Sequence, residues 1–425
     1  MKQLESIVPQ LRAMFPALAR RMPNGAPVTF FDGPAGTQVP QMVIDAISDY
    51  LVRCNANRHG CFLTADETEE CFAKAHRLYA DFMGVDDPDE IVFGQNMTSL
   101  TFQMSRALSQ TWQPGDEIIL TRLDHDANVS PWVLAARDRG VTVRWVPFRA
   151  QDWQLDLQVL QSHLSGRTRL VACGAASNAT GGINPIPEIV SMAHSVGALA
   201  YVDAVHLGPH RQINAKVWDA DFVVCSAYKF FGPHVGILWG RRELLERVPA
   251  YKVRPASNSI PDKWMTGTQN HEGICGAAAC VEYLAGIGRT ISETTLVDTK
   301  KDLATAFRHI EMYESQLTRQ FLDGLSALDE FELVGLGRKH LTQPEYQDRR
   351  VSTFAIRHRK KTSQQLATAL GQRGIFAWHG NYYALELSEQ LGYEPEGMLR
   401  IGFVHYNTPD EVARLLEELR RMGGA

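Results

Sequence analysis

The sequence predicts an α/β protein, with a mostly parallel sheet in a large domain followed by a smaller α+β domain. Between residues 90 and 240, short β-branched or apolar runs alternate with longer helical patterns, as crossover units between parallel strands require. Several of those runs are almost wholly apolar, as strands covered on both faces must be. After Ile291 the alternation ends and a different architecture begins.

Seven candidate strands, at 90–93, 117–121, 141–147, 169–173, 199–203, 222–225 and 236–239, make one seven-stranded sheet. Residues 300–327 read as one long amphipathic helix, and 331–334, 351–356 and 400–404 as strands of the small domain. The last helix has a defined start. Thr408 serves as N-cap, Pro409 takes the first helical position and Glu411 completes a capping box, before Val412, Leu415, Leu416, Leu419 and Met422 form one apolar stripe. A helix within about residues 3–20 is expected to pack on the small domain. The expected division is therefore 21–294 for the large domain, and 1–20 with 295–425 for the small one.

The chain has 425 residues, 44% hydrophobic and 21% charged, which excludes disorder and coiled coil as the main architecture. Its formal net charge of −5 offers no overall positive field for a nucleic-acid backbone or an anionic membrane surface. Seven scattered cysteines without a C-x-x-C pair predict neither a disulfide framework nor a metal site, and point to a reducing compartment. The N-terminus lacks the apolar core of a signal peptide, and no stretch of roughly 18 apolar residues occurs. A soluble, cytoplasmic protein is expected.

The segments A-L-A-Y-V-D-A-V-H at 198–206 and D-F-V-V-C-S-A-Y-K-F-F-G-P-H-V-G at 221–236 carry the chemistry. Asp203 and Lys229 each sit at or just beyond the carboxyl end of an apolar strand, where open α/β sheets bind ligands. A lysine amine with a depressed pKa can form a Schiff base with a cofactor aldehyde. A semi-buried carboxylate suits a pyridinium nitrogen, as pyridoxal phosphate requires. The plain alternative is a helix-capping Asp and a solvated loop Lys, but their separation of one crossover unit favours the pair. G-Q-N-M-T-S at 94–99 follows a strand and opens a helix, so Met97, Thr98 and Ser99 could present N–H groups and hydroxyls to a phosphate. Ser/Thr there would otherwise be a cap. His125, in D-H-D-A-N-V-S-P-W at 124–132, could lie on a cofactor ring or carry protons. Asn178, in S-N-A-T-G-G-I-N-P at 177–185, could bond the ring oxygen, although the Gly-Gly and Asn-Pro steps equally suit a turn.

Together these segments resemble the class V aminotransferase family of fold-type I pyridoxal-phosphate enzymes, in particular its cysteine desulfurase and selenocysteine lyase branch. The resemblance runs from F-F-D-G-P-A-G-T at 30–37 to R-I-G-F-V-H-Y-N-T-P at 400–409. It implies Lys229 as Schiff-base lysine, Asp203 as pyridinium partner and His125 as the ring-stacking residue. It also implies Asn178 near the phenolic oxygen, and Thr98 and Ser226 at the phosphate. Thr268 matches a threonine that reaches the neighbouring subunit's phosphate, which implies a homodimer. Arg400 matches the clamp for the substrate α-carboxylate. Asn55 and Arg58 match a loop at the mouth of the site, and Arg58 would bind a distal substrate carboxylate or a carboxylate of the protein itself.

The chain departs from the family at three places. His206 stands where Gln is usual, which would put a titratable group at the bond to the cofactor ring. Tyr228 replaces the His that often precedes the lysine, and its hydroxyl could still donate to phosphate. In G-I-F-A-W-H-G-N-Y-Y-A at 374–384, Tyr383 occupies the position of the desulfurase cysteine, and Trp378 and His379 replace an arginine. Tyrosine cannot accept sulfur as a persulfide. Trp378, His379, Tyr382 and Tyr383 suggest an aromatic, partly polar substrate wall, or packing of the small domain. The expected reaction is desulfurase-like C–S cleavage of an amino acid without a cysteine persulfide. Transamination, epimerisation or racemisation, and a catalytically silent binding relative are the alternatives.

Overall fold

In the computed structural model, which describes residues 3–343 and 348–423, the chain forms thirteen strands. They are β1 Thr29–Phe30, β2 Ile91–Gly94, β3 Glu117–Thr121, β4 Thr142–Val146, β5 Thr168–Gly174, β6 Leu199–Asp203 and β7 Phe222–Ser226, then β8 Gly236–Gly240, β9 Phe331–Val334, β10 Thr353–His358, β11 Ile375–Phe376, β12 Trp378–Gly380 and β13 Met398–Gly402. Seven of them form the large sheet in the order β2-β8-β7-β6-β5-β3-β4, with β8 alone antiparallel to its neighbours. This is the mostly parallel α/β sheet the sequence predicts. β3 and β5 through β8 are buried along almost their whole length, which is why their sequences show no alternation.

The chain leaves β3 outward to β4 and returns on the other side of β3 to make β5. Crossovers in opposite directions open a crevice at the carboxyl ends of β3 and β5. The segments after β3, β5, β6 and β7 all emerge at this edge, and they carry His125, Asn178, His206 and Lys229.

The second sheet is antiparallel, β12-β13-β10-β9, and sets Arg400 in a central strand. The helix Thr299–Leu325 packs behind it, and Leu4–Ala13 and Pro409–Gly423 pack on that helix. The capping box at Thr408 and Glu411 forms as the sequence predicts: Glu411 N–H donates to Thr408 Oγ1 at 3.2 Å and Thr408 N–H to Glu411 Oε2 at 3.1 Å. β1, β11 and β12 have no counterpart among the predicted strands, since two or three residues make no pattern.

One expectation changes. Cys71 and Cys275, 204 residues apart, form a disulfide, because the helices Leu63–Met83 and His271–Ser292 pack together and bring their Cα atoms to 6.1 Å. Sequence spacing contains no trace of that approach. The helix His271–Ser292, with a mean hydropathy of 1.2, is also long and apolar enough to cross a membrane. It is a core helix: 78% of its most apolar 18-residue window is buried within the protein.

Gly236 in β8 lies against the start of the helix Met97–Leu108, and a Cβ there would meet the Asn96 carbonyl carbon at 2.4 Å. Gly236→Ala should therefore cost about 1–3 kcal/mol of unfolding free energy by overpacking. Chemical denaturation reads this, and an unchanged midpoint would show that the helix start yields freely.

Candidate active site

The carboxyl edge of the sheet encloses a cavity of about 660 Å³, lined by residues from 96 to 234 that include Lys229, Asp203, His125, Asn178, His206 and Tyr228. Lys229 follows β7 on a single helical turn, where the chain leaves the sheet. Its Nζ donates to the Pro34 carbonyl at 2.5 Å and lies 5.0 Å from the Tyr228 ring centroid. Burial, and then nearby Arg400, lower its pKa to about 7, with Asp203 opposing both. The amine is thus substantially uncharged near neutrality.

Asp203 ends β6. Its Oδ1 accepts from the Val205 N–H at 2.8 Å, and burial raises its pKa to about 6. Its second oxygen makes no bond within the described protein, leaving it for a donor in the cavity. His125 caps the turn Asp126–Asn128 by accepting from the Ala127 N–H through Nδ1 at 3.0 Å. Burial, then Lys229 and Arg400, lowers its pKa to about 3, so it is a neutral ring.

At the start of the helix Met97–Leu108, Asn96 Oδ1 accepts from the Ser99 N–H at 2.8 Å, and the Met97 N–H donates to Ser226 Oγ at 2.9 Å. Two of the three expected anion donors are therefore used within the protein. The exposed Thr98 keeps its N–H and hydroxyl open at the positive end of a twelve-residue helix. Tyr228 stacks on His234 with ring centroids 4.9 Å apart.

The far wall is a strained loop. Tyr382 and Tyr383 have φ of 55° and 61°, an uncommon left-handed backbone for aromatic residues. Asn178 Nδ2 donates to the Tyr382 carbonyl at 2.8 Å, the Tyr382 hydroxyl donates to the Met398 carbonyl, and the Asp126 N–H donates to the Tyr383 carbonyl at 2.7 Å. These bonds hold the Tyr383 ring over His125, with centroids 5.3 Å apart and planes 29° apart. Arg400, 5% exposed, donates to the Asn178 carbonyl at 2.9 Å and lies 4.3 Å from the Tyr382 ring centroid.

Four expected site residues lie outside this cavity, one of them, Thr268, expected at the neighbouring subunit's phosphate rather than here. Arg58 is committed to Glu69 at 2.9 Å and Asp262 at 2.7 Å, the protein's own carboxylates rather than a substrate's. Asn55 is exposed and does not line the cavity. Thr268 lines separate surface clefts with Thr266 and Gln269. His379 pairs with Leu399, whereas Trp378 pairs with Arg400, so the strand register puts Trp378, not His379, on the arginine's face. The structure also adds two carboxyls. Asp32 has an enclosed, unpartnered Oδ1 and a pKa raised to about 6 by burial, with Arg400 opposing. Asp124 lines the cavity, accepts from Thr121 Oγ1 at 2.9 Å, and is held well above the ordinary carboxyl range by burial. Both stand in motifs quoted above, but loop carboxylates there read as turn residues.

The class V aminotransferase family profile matches residues 29–415, and the chain belongs to that family. It is 30% identical to a probable cysteine desulfurase of Vibrio cholerae, over 97% of each chain. It is 28% identical to a cysteine desulfurase of Pectobacterium carotovorum, over 98% of each. The solved structure of the cysteine desulfurase CsdA from Escherichia coli superposes with a TM-score of 0.81 at 26% identity, covering 97% of this chain and 98% of that one. The protein is accordingly a pyridoxal-phosphate enzyme of the desulfurase-like kind. The cavity fits that cofactor: it offers a largely neutral amine, an open carboxylate oxygen and an open helix N-terminus.

Because the free amine is the reactive form, the rate at which apoprotein captures pyridoxal phosphate should rise about tenfold per pH unit below 7 and level off above it. Stopped-flow absorbance measures this, and a rate still climbing at pH 9 would contradict the lowered pKa.

Proposed function

We propose that this chain cleaves a C–S bond of an amino acid by elimination at Cβ, without a cysteine persulfide. The observation that carries the reading is the cavity lining: among the described residues no cysteine lines it, and Tyr383 stands over His125. Cys54, Cys173, Cys225 and Cys280 are buried, Cys61 is exposed on another loop, and Cys71 and Cys275 are joined to each other. Burial also pushes the Cys173, Cys225 and Cys280 thiols up, away from the thiolate that sulfur acceptance needs.

When bound, pyridoxal phosphate supplies an aldehyde that links to amines and a ring that takes up the electron pair released at Cα. Lys229 Nζ would hold the cofactor, take the Cα proton and return it to the departing sulfur. Asp203 would keep positive charge at the ring nitrogen, and Arg400 would hold the substrate carboxylate as a two-pronged donor. His125, neutral and flat beneath Tyr383, would cover the ring. His206 and Asn178, which line the cavity, would bond the ring oxygen. Thr98, with Met97, Ser99, Ser226 and Tyr228 around it, would seat the phosphate.

The same reading makes the protein a cytoplasmic homodimer, divided at 20/21 and 294/295 into large and small domains, with Thr268 completing the partner's site. Exposed Leu51, Val52, Phe62, Leu63, Tyr251 and Val253 support the dimer as apolar surface suited to burial. Mixing inactive Lys229→Ala and Thr268→Ala chains should restore activity in hybrids only if each supplies what the other lacks.

The reaction is tested by giving holoenzyme cysteine, cystine and thioether conjugates while following sulfide or thiol, keto acid, alanine and inversion at Cα. Thiol or sulfide with keto acid in equal amounts is expected, and Lys229→Ala should lose at least a hundredfold in rate. Alanine with sulfide would indicate desulfuration instead, and transamination or racemisation alone would refute C–S cleavage.

A further inference from the structure

The stretch 378–385 carries aromatic surface that the fold does not use. Tyr382, 8% exposed, packs on Arg400, but Tyr383 is 71% exposed and Trp378 54%. Both rings border the cofactor cavity. Tyr383 lies on His125, which lines it. Trp378 stands directly opposite Arg400 in the antiparallel β12 and β13 pair, where opposed side chains share a face. Arg400 in turn reaches the Asn178 carbonyl, and Asn178 lines the same cavity. A single exposed apolar residue is ordinary, but large apolar rings grouped beside a ligand cavity mark a binding surface.

The charges near these rings are already paired. Arg122 binds Glu386 and lies over the Trp145 ring, and Arg373 binds Glu418 at 2.9 Å. Asn381 Nδ2 donates to Glu394 at 2.9 Å. Arg58, the sequence candidate for a distal substrate carboxylate, is held by Glu69 and Asp262. His379 is turned to the other face of β12 from Trp378. Arg400 differs from these arginines: it is bonded to a carbonyl and enters no ion pair among the described residues, so it is left for one carboxylate. A substrate's α-carboxylate takes that place, and what extends beyond Cβ meets uncharged aromatic faces.

We propose that the substrates are cysteine thioethers whose sulfur carries an uncharged aromatic group, and that Trp378 and Tyr383 hold that group. This rests on the elimination proposed above. The Cβ–S bond breaks with its electron pair on sulfur, the proton taken from Cα joins the sulfur to give a free thiol, and the remainder takes up water to leave as keto acid and ammonia. An aromatic substituent gains contact area and favourable ring geometry against the two side chains, neither of which cysteine itself could fill. A second carboxylate on the sulfur substituent would lose its hydration without gaining a cation.

The test gives holoenzyme S-(2-phenylethyl)cysteine, S-ethylcysteine and S-(2-carboxyethyl)cysteine, all of which release alkyl thiols. kcat/KM for thiol release should be at least about tenfold higher for the phenylethyl than for the ethyl compound, with the carboxyethyl compound lowest. In Trp378→Ala and in Tyr383→Asn, which suits the left-handed backbone, the phenylethyl advantage should disappear, and Tyr383→Phe should keep it. The N-acetylated phenylethyl and ethyl compounds cannot join the cofactor through nitrogen, so calorimetry with holoenzyme reads the same preference as affinity alone. Equal values for the two compounds in turnover and in affinity, or a preference unmoved in both ring-deleting variants, would overturn the aromatic wall and leave the elimination standing. Preferential binding without thiol release from any of the three would overturn the elimination and leave the wall in place.

Discussion

Burial of the Lys229 amine at the end of β7 is the constraint on which the rest of the site depends. Lowering its pKa from 10.5 to about 7 corresponds to about 5 kcal/mol against the charged form. Desolvation is the main cause, and Arg400 adds to it. Asp203 acts in the opposite sense, so a lowered amine, the Arg400 guanidinium and one open carboxylate oxygen stand at close quarters. The fold supports the arrangement from both sides: the large sheet supplies Lys229 and Asp203, and the antiparallel sheet supplies Arg400 through a central strand.

The loop at 380–384 follows from the same arrangement. Arg400 and Asn178 together hold Tyr382, and Tyr382 and Tyr383 accept a left-handed backbone that costs on the order of 1–3 kcal/mol each. The outcome is an aromatic ring over His125, at the position the sequence resemblance assigns to the desulfurase cysteine. No thiol lines the cavity among the described residues, and the proposed reaction therefore rests on proton handling at Lys229 and its neighbours. Two carboxyls, Asp32 and Asp124, and a neutral His125 all favour uncharged forms there.

What could be read from sequence was whatever depends on continuous pattern. The seven strands of the large sheet were readable because buried parallel strands are short apolar runs, and Lys229 and Asp203 were readable because they end such runs. The capping box at Thr408 is local chemistry and was equally plain. What needed the structure depends on register or on distant pairing. Trp378 and His379 differ by one residue, and only the pairing of β12 with β13 decides which shares a face with Arg400. Arg58 meets Glu69 and Asp262 from two other segments, and Cys71 meets Cys275 across 204 residues. Asp32 and Asp124 look like turn residues until their burial is seen.

The fold itself, before any cofactor arrives, holds Lys229 as a largely neutral amine. The most direct measurement is an NMR titration of lysine Cε signals in apoprotein, with Lys229 assigned by its loss in Lys229→Ala and with Asp203→Asn as comparison. Lys229 should show a midpoint near 7, falling further in Asp203→Asn because the carboxylate that favours the charged amine is gone. A midpoint near 10 in both proteins would contradict it.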